Sequence, residues 1–360
     1  MIYIGAEEII SPLGVTADQN FRAMVNNQSG ISLVADAGLN KTPVHLSKIT
    51  DLQFEHPFDS LLEKVLISLS EKIDSDIITS DRTILLISST KGAIENIIGD
   101  QFGRSVAFIK ERFSLRHQPV VISNACISGV LAINAGANFI SAGLYDHAIV
   151  IGCDLVSDFV LYGFQSLFAI SEKPCLPFDS ERNGITLGEA CSAVLVSNSP
   201  SVFREAPLRL LKGTSANDAN HISGPSRTGE GLFRSVKKTM EINGISDQDI
   251  DFISAHGTAT VYNDEMESIA FDRLSLTHVP LNSFKGYFGH TLGAAGVIET
   301  AVSIQMIRND ILLKSLGFQQ KGTSVTLNII EENKPSELKT ILKTASGFGG
   351  GNASLIIQKL

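Results

Sequence analysis

Tryptophan is absent from the 360 residues, and aromatic residues of every kind make up only 7%. Cysteine is scarce and unpaired in pattern: Cys126, Cys153, Cys175 and Cys191 show no C-x-x-C spacing. That argues against a zinc framework or a disulfide scaffold and fits a reducing compartment. Positive charge is short as well. Lys and Arg number 29 against 38 Asp and Glu, a net charge of −9 with no offsetting basic stripe, which argues against general nucleic-acid binding. The 30 Gly and 11 Pro give no collagen-like or low-complexity bias. The opening segment Met1-Ile2-Tyr3-Ile4-Gly5-Ala6-Glu7-Glu8 lacks a basic region and meets acid early, so it does not read as a signal peptide. The expectation is a cytoplasmic protein.

What is present is apolar: 43% of the residues are hydrophobic, enough for a large core or two fused halves. The stretch 118–145 carries no charged residue, yet it is rich in Gly, Ser and Asn. A helix buried on all sides of a globular core explains it better than a membrane span.

The halves share an order of elements. In the first, a helical pattern over 60–75 leads to predicted strands at 83–87 and 119–122. A small-residue-rich helix from Cys126 follows, then strands at 148–152 and 190–196. In the second, a helix over 229–242 leads to strands at 250–254 and 279–282. A helix opening near His290 with Gly293, Ala294, Ala295 and Gly296 follows, then strands at 324–329 and 353–358. Alternating strands and helices imply a mostly parallel α/β sheet. The small residues opening both helices predict that the two pack closely between sheets. The division is expected near 200–207, giving halves 1–200 and 201–360.

Cys126 lies where the β-branched run Val120-Val121-Ile122 breaks into Ser123-Asn124-Ala125-Cys126 and a helix-like pattern begins. A thiol at a helix N-terminus meets unpaired N–H groups and the positive end of the dipole, which favour the nucleophilic thiolate. Alone, such a cysteine reads as a small buried hydrophobe. Two histidine motifs change that reading. One is Ala255-His256-Gly257-Thr258-Ala259-Thr260, continuing to Asn263-Asp264 and Glu267. The other runs from Lys285 through His290 and Gly293-Ala294-Ala295-Gly296 to Glu299. A fourth segment is Gly347-Phe348-Gly349-Gly350-Gly351-Asn352, and a fifth joins Pro177-Phe178-Asp179 to Arg182-Asn183-Gly184 and Gly188-Glu189.

Taken in order over nearly the whole chain, these segments resemble the β-ketoacyl-acyl-carrier-protein synthases, the Cys-His-His condensing enzymes of the thiolase superfamily. The resemblance implies a duplicated αβαβα layered fold with pseudo-twofold halves. It also implies an acyltransferase that performs decarboxylative Claisen condensation in fatty-acid, polyketide or polyene synthesis. Cys126 would carry the acyl chain, with His256 and His290 as neutral N–H donors to the malonyl thioester oxygen. The backbone N–H groups of Cys126 and Phe348 would form the oxyanion hole. Lys285 would be buried against Glu299, Asp264 and Glu267 would support the first histidine, and Thr258 and Thr260 would hold the pantetheine arm. A helical i, i+3 spacing puts Asp264 and Glu267 on one face. His45, His56, His117, His147, His221 and His278 read as structural.

No cofactor or metal is implied beyond the phosphopantetheine of an acyl carrier protein, which is the expected partner. A homodimer is expected, with a heterodimer containing a ketosynthase-like subunit as the alternative. Phe348 stands where a thiolase needs a second cysteine, and His290 stands where synthases using acyl-CoA primers have asparagine. A different class is a non-catalytic, chain-length-factor-like partner subunit; retention of Cys126, His256, His290 and Lys285 speaks against it. The segment before Cys126 is short for an elongating synthase. The usual basic docking segment gives way to Gln53-Phe54-Glu55-His56-Pro57-Phe58-Asp59, leaving Lys110-Arg112-Arg116 or Arg234-Lys237-Lys238 as substitutes. Gly286-Tyr287-Phe288 brings two aromatics expected to narrow the pocket or to stack on an unsaturated chain.

Overall fold

A computed structural model describes residues 1–50, 54–94, 100–218 and 226–360. Among the described residues, eleven strands form the main sheet. Those of the first half are β1 (Tyr3–Ile10), β2 (Thr83–Ser88), β3 (Val120–Ile122), β4 (His147–Asp154) and β5 (Ala190–Ser197). The second half supplies β6 (Leu208–Leu210), β7 (Thr214–Asn217), β8 (Phe252–Ser254), β9 (Leu281–Asn282), β10 (Thr340–Gly347) and β11 (Gly351–Gln358). The helices of eight residues or more are α1 (Ala17–Val25), α2 (Pro57–Ser70), α3 (Gly103–Arg112), α4 (Ser128–Ser141), α5 (Asp158–Ser166), α6 (Glu230–Asn243), α7 (Val261–Arg273) and α8 (Ala295–Asn309).

Strand pairing displays the duplication. From the outer edge of the first half, β3 pairs parallel with β2 and β2 parallel with β4; β4 then pairs antiparallel with β5, and β5 antiparallel with β1. The second half repeats the pattern: β9 parallel to β8, β8 parallel to β10, then antiparallel pairs with β11 and on to β6. β6 also pairs with β1 and joins the halves. The sheet is therefore mixed, more so than the alternation of elements predicts.

Three apolar clusters define the layers. α2 and α3 cover one outer face with Leu61, Leu62, Val65 and Ile109, and α6 and α7 cover the other with Leu232, Val236, Met266 and Phe271. Between the sheets lie α4 and α8, whose core includes Val130, Ile133, Val297 and Ile304. This is the duplicated αβαβα arrangement. Every residue of α8 from Ala295 to Ile307 is buried, as a helix covered on both sides requires.

The two inner helices meet backbone to backbone at their N-terminal ends. A Cβ on Gly129 would come within 2.7 Å of Val297 N, and one on Gly296 would run into Val130 N. Only the absence of a Cβ permits that approach. The contact sits three residues after Cys126 and six after His290, so it fixes how near those side chains can come.

Two local expectations are corrected. Residues 324–329 form no strand; Ile329 makes only an isolated bridge to Leu281, and the missing strand is β10. Tyr287 and Phe288 do not reach a pocket. The helical turn Lys285–Phe288 buries both in the central core, where Tyr287 donates its hydroxyl to Lys314 O.

Candidate active site

The turn before α4 presents the thiol. Ala125 takes a left-handed φ of 44°, and Ser128 Oγ ties it down by accepting from Asn124 N (2.7 Å) and donating to Ala125 O (2.6 Å). Cys126 then sits just outside Ile127, the N-cap residue of α4. Its environment departs from the sequence expectation of a resting thiolate. Burial pushes the thiol up to about 12, with Lys285 pulling down and Asp154 and Glu299 pushing up. In a dry site the desolvation of a sulfur anion outweighs a helix end that the side chain meets only at its margin.

His290 lies next to it, with Nε2 at 3.1 Å from Cys126 Sγ. The amide of Leu292 donates to His290 Nδ1 at 3.3 Å. A ring nitrogen that accepts carries no proton, so this bond assigns the hydrogen to Nε2, facing the sulfur. His256 is tied in the same sense. Lys285 Nζ stands 3.3 Å from His256 Nδ1 and also donates to His256 O, leaving Nε2–H as the free donor. Burial, then the charge of Lys285, drives both imidazoles well below their ordinary value, so both are neutral at pH 7. The rings meet edge to face, centroids 5.2 Å apart. One ligand atom from each of Cys126, His256 and His290 falls within 4.8 Å of the others, a spacing a soft cation would also accept. Lys285 against His256 sets positive charge at that spot and disfavours one.

The supporting groups lie behind this trio and are buried. Glu267 accepts from His256 N (2.8 Å) and Gly257 N (2.6 Å), holding the loop that carries the first histidine. Burial first, and Asp264 second, push its carboxyl up to about 7. Asp264 accepts from Phe178 N (2.7 Å) and Ala259 N (3.2 Å) and faces Arg182 Nε at 3.8 Å, which ties the fifth sequence segment to the same loop. Lys285 pairs with Glu299 at 2.8 Å. Lys343, which the sequence reading did not single out, pairs with the other oxygen of Glu299 at 2.6 Å.

A cavity of about 370 Å³ reaches Cys126, His256 and His290 and is lined also by Thr258, Thr260 and Phe348. Lys285, Asp264, Glu267 and Glu299 do not line it. Thr260 caps α7 by accepting from Asn263 N, and its hydroxyl lies 2.9 Å from that of Thr258. Gly347 presses against the cysteine: a Cβ there would meet Cys126 N at 3.2 Å, so glycine lets the Gly347–Phe348 peptide approach. The Phe348 ring stacks at 5.5 Å on Phe164 of α5 and is 40% exposed.

Of the histidines read as structural, His45 and His117 bond backbone carbonyls and His147 bonds Ser197 Oγ. His221 and Gln53 lie outside the described residues. All four cysteines are free. No helix among the described residues is long and apolar enough to cross a membrane.

Comparison with known proteins agrees with this geometry. The family profile of the β-ketoacyl synthase N-terminal domain matches residues 88–200, and that of its C-terminal domain matches 209–319. The 3-oxoacyl-[acyl-carrier-protein] synthase 2 of Rhizobium meliloti is 30% identical over 280 residues, covering 71% of this chain and 65% of its own length. A putative mitochondrial 3-oxoacyl-[acyl-carrier-protein] synthase of Schizosaccharomyces pombe is 30% identical over 275 residues, with 70% and 64% covered. The chain thus spans just under two thirds of those relatives. Among solved structures, a chain of the Xenorhabdus doucetiae complex of a ketosynthase (ApeO) with its chain length factor (ApeC) superposes with a TM-score of 0.89 at 26% identity, over 100% of this chain and 98% of that one. The two profiles fall one in each half of a duplicated fold and together span more than half of the sequence: the chain belongs to the β-ketoacyl synthase family.

Proposed function

We propose that the protein is a catalytic β-ketoacyl-acyl-carrier-protein synthase that joins a Cys126-bound acyl chain to a malonyl thioester. The observation carrying this reading is the meeting of one thiol and two neutral Nε2–H donors at a single cavity. In the first step Cys126 sulfur attacks the acyl thioester of the carrier. The acyl group passes to Sγ, and the pantetheine thiol leaves with the proton that Cys126 gives up. Because the thiol rests protonated, the His290 Nε2–H stabilises the sulfur anion as it forms. The tetrahedral oxyanion would lie against the backbone N–H groups of Cys126 and Phe348.

Malonyl thioester then enters and loses CO₂, its C–C electrons passing to an enolate whose oxygen accepts from His256 and His290. The enolate carbon attacks the acyl carbonyl on Cys126, and collapse expels the Cys126 thiolate, which takes up one proton from solvent to restore the thiol, leaving a 3-ketoacyl thioester on the carrier. Thr258 and Thr260, which line the cavity, would bond the pantetheine arm. No metal or cofactor enters this scheme.

The carrier protein is the proposed partner. Arg234, Lys237 and Lys238 are its better dock, because α6 packs against α7, whose first turn supplies Val261 and Tyr262 to the cavity. Arg112 pairs with Glu63 on the α2–α3 face, and Lys237 pairs with Glu241 within α6. A homodimer across the edge strand β3 is supported by the half-buried Leu131, Ala135 and Phe139, one stripe of α4 beside that edge. A cytoplasmic location and halves divided at 200/201 complete the proposal; the division rests on β6, the first strand after it, joining the two halves of the sheet. Incubation with isotopically labelled acyl-carrier thioester tests the central point. An acyl mass on the Cys126 peptide is expected, and its absence would favour a chain-length-factor-like subunit.

A further inference from the structure

Lys343 is a charged residue in the middle of a strand, fully buried and without contact with solvent. It lies on β10 opposite Ser254 of β8, the strand that delivers His256. Its Nζ donates to Thr344 O at 2.6 Å and reaches the carbonyls of Ser254 and Ala255 at 3.3 and 3.5 Å. It also stands 2.6 Å from Glu299 Oε2 as a buried ion pair. Glu299 Oε1 is already taken by Lys285. One carboxylate therefore bridges two buried ammonium groups, and one of these touches the His256 ring.

A neutral Lys285–Glu299 pair would hold the ring equally well. Adding a second buried cation costs desolvation, which an apolar residue of the same length would avoid. Burial pulls Lys343 below its ordinary value and Glu299 pulls it back up. We propose that Lys343 is a positioning residue of the condensing site: it clamps Glu299 and the backbone leading into His256, and it guards that histidine against protonation. The inference rests on the condensing function proposed above.

The guard matters for the fate of the enolate. A neutral imidazole stabilises the enolate oxygen through its N–H and keeps the carbon nucleophilic. An imidazolium is acidic enough to give the enolate a proton, so that malonyl thioester minus CO₂ plus H⁺ ends as acetyl thioester and no C–C bond forms. Facing His256 are Lys285 from its short turn, Lys343 from β10, Asp264 and Glu267 from α7, Glu299 from α8, and His290 with Cys126 beyond it. Burial and the charges of Lys285, His290 and Lys343 all oppose the imidazolium. Removing Lys343 lets the histidine titrate at higher pH.

The test uses the full-length protein with malonyl- and acyl-carrier thioesters. In Lys343→Met, and in Lys343→Gln as the variant that keeps a polar group, the acetyl by-product should overtake the 3-ketoacyl product at a pH about one unit higher than in the wild type, the usual scale for a nearby charge. The His256 resonance in ¹⁵N-imidazole NMR should titrate upward by the same amount. KM for the malonyl carrier should stay within about twofold while kcat for condensation falls about tenfold. Lys343→Arg should restore the product ratio. Unchanged His256 titration in a folded Met or Gln variant overturns the inference. The NMR arm needs no turnover, so it stands even if the wild type forms no 3-ketoacyl product, an outcome that would instead sink the condensing function.

Discussion

The two halves share one strand pattern but treat their reactive side chains differently. In the first, a turn with Ala125 at positive φ and the start of α4 hold Cys126, and the carboxylate of that half acting on its thiol is Asp154. That group is spent on Ser89, Thr90, Lys91 and the amide of Gly293. In the second, three buried carboxylates and two buried lysines surround the loop carrying His256. A nucleophile needs backbone donors and room for an incoming carbonyl. Around His256, burial and the two lysines keep the ring neutral while Glu267 holds the loop that carries it. Duplication supplied the scaffold twice, and each copy met a different electrostatic demand.

The comparison can be broken most forcefully by removing one side chain from each half. Cys126→Ala should cut condensation by about a thousandfold or more and leave no acyl adduct by mass spectrometry. His290→Ala should slow malonyl decarboxylation by about a hundredfold while Cys126 still accepts an acyl group; equal loss of both steps would deny the division of labour. A pH series sharpens it next. With the thiol pushed up to about 12, the reactive anion is a minor species throughout the working range. Iodoacetamide labelling of Cys126 should therefore rise about tenfold per pH unit from pH 6 to 9 without a plateau. A plateau near neutrality would mean a thiolate at rest.

Gly296→Ala is expected to cost about 1–3 kcal/mol through the clash with Val130 N, read as a lower Tm. The smallest effect belongs to the surface. Charge reversal at Arg234, Lys237 and Lys238 should weaken carrier binding about fivefold by titration, and reversal at Lys110, Arg112 and Arg116 should leave it unchanged.

The inner helices and the duplication were legible before any coordinates from the repeated order of elements and the small residues opening both helices, and the grouping of Cys126, His256 and His290 from the resemblance of the ordered motifs to a known family. Other features were hidden for identifiable reasons. Tyr287 and Phe288 adjoin His290 in sequence, but the left-handed Gly289 (φ 67°) reverses the chain between them, so the rings point into the core while the imidazole points out of it. The state of Cys126 depends on desolvation, which has no signature in a string of letters. Residues 324–329 alternate like a strand yet find no continuous partner. Lys343 escaped notice because a charge within Thr340-Ile341-Leu342-Lys343-Thr344 reads as a break in an apolar pattern. The partner that makes it tolerable, Glu299, is 44 residues away on another element.

The glycine contact between the inner helices has a consequence for how such a chain can change. Thiol and imidazole are separated by a gauge built from two missing methyl groups, one on each side of an internal seam. Neither side can be exchanged as a module with a relative unless the graft brings its own glycine to the junction. Insertions are tolerable at the rim, where Phe168 stands 93% exposed, whereas growth at the seam would pull the sulfur away from the imidazole. Diversification is therefore steered outward, to the walls that choose the guest, and away from the joint that sets the reach.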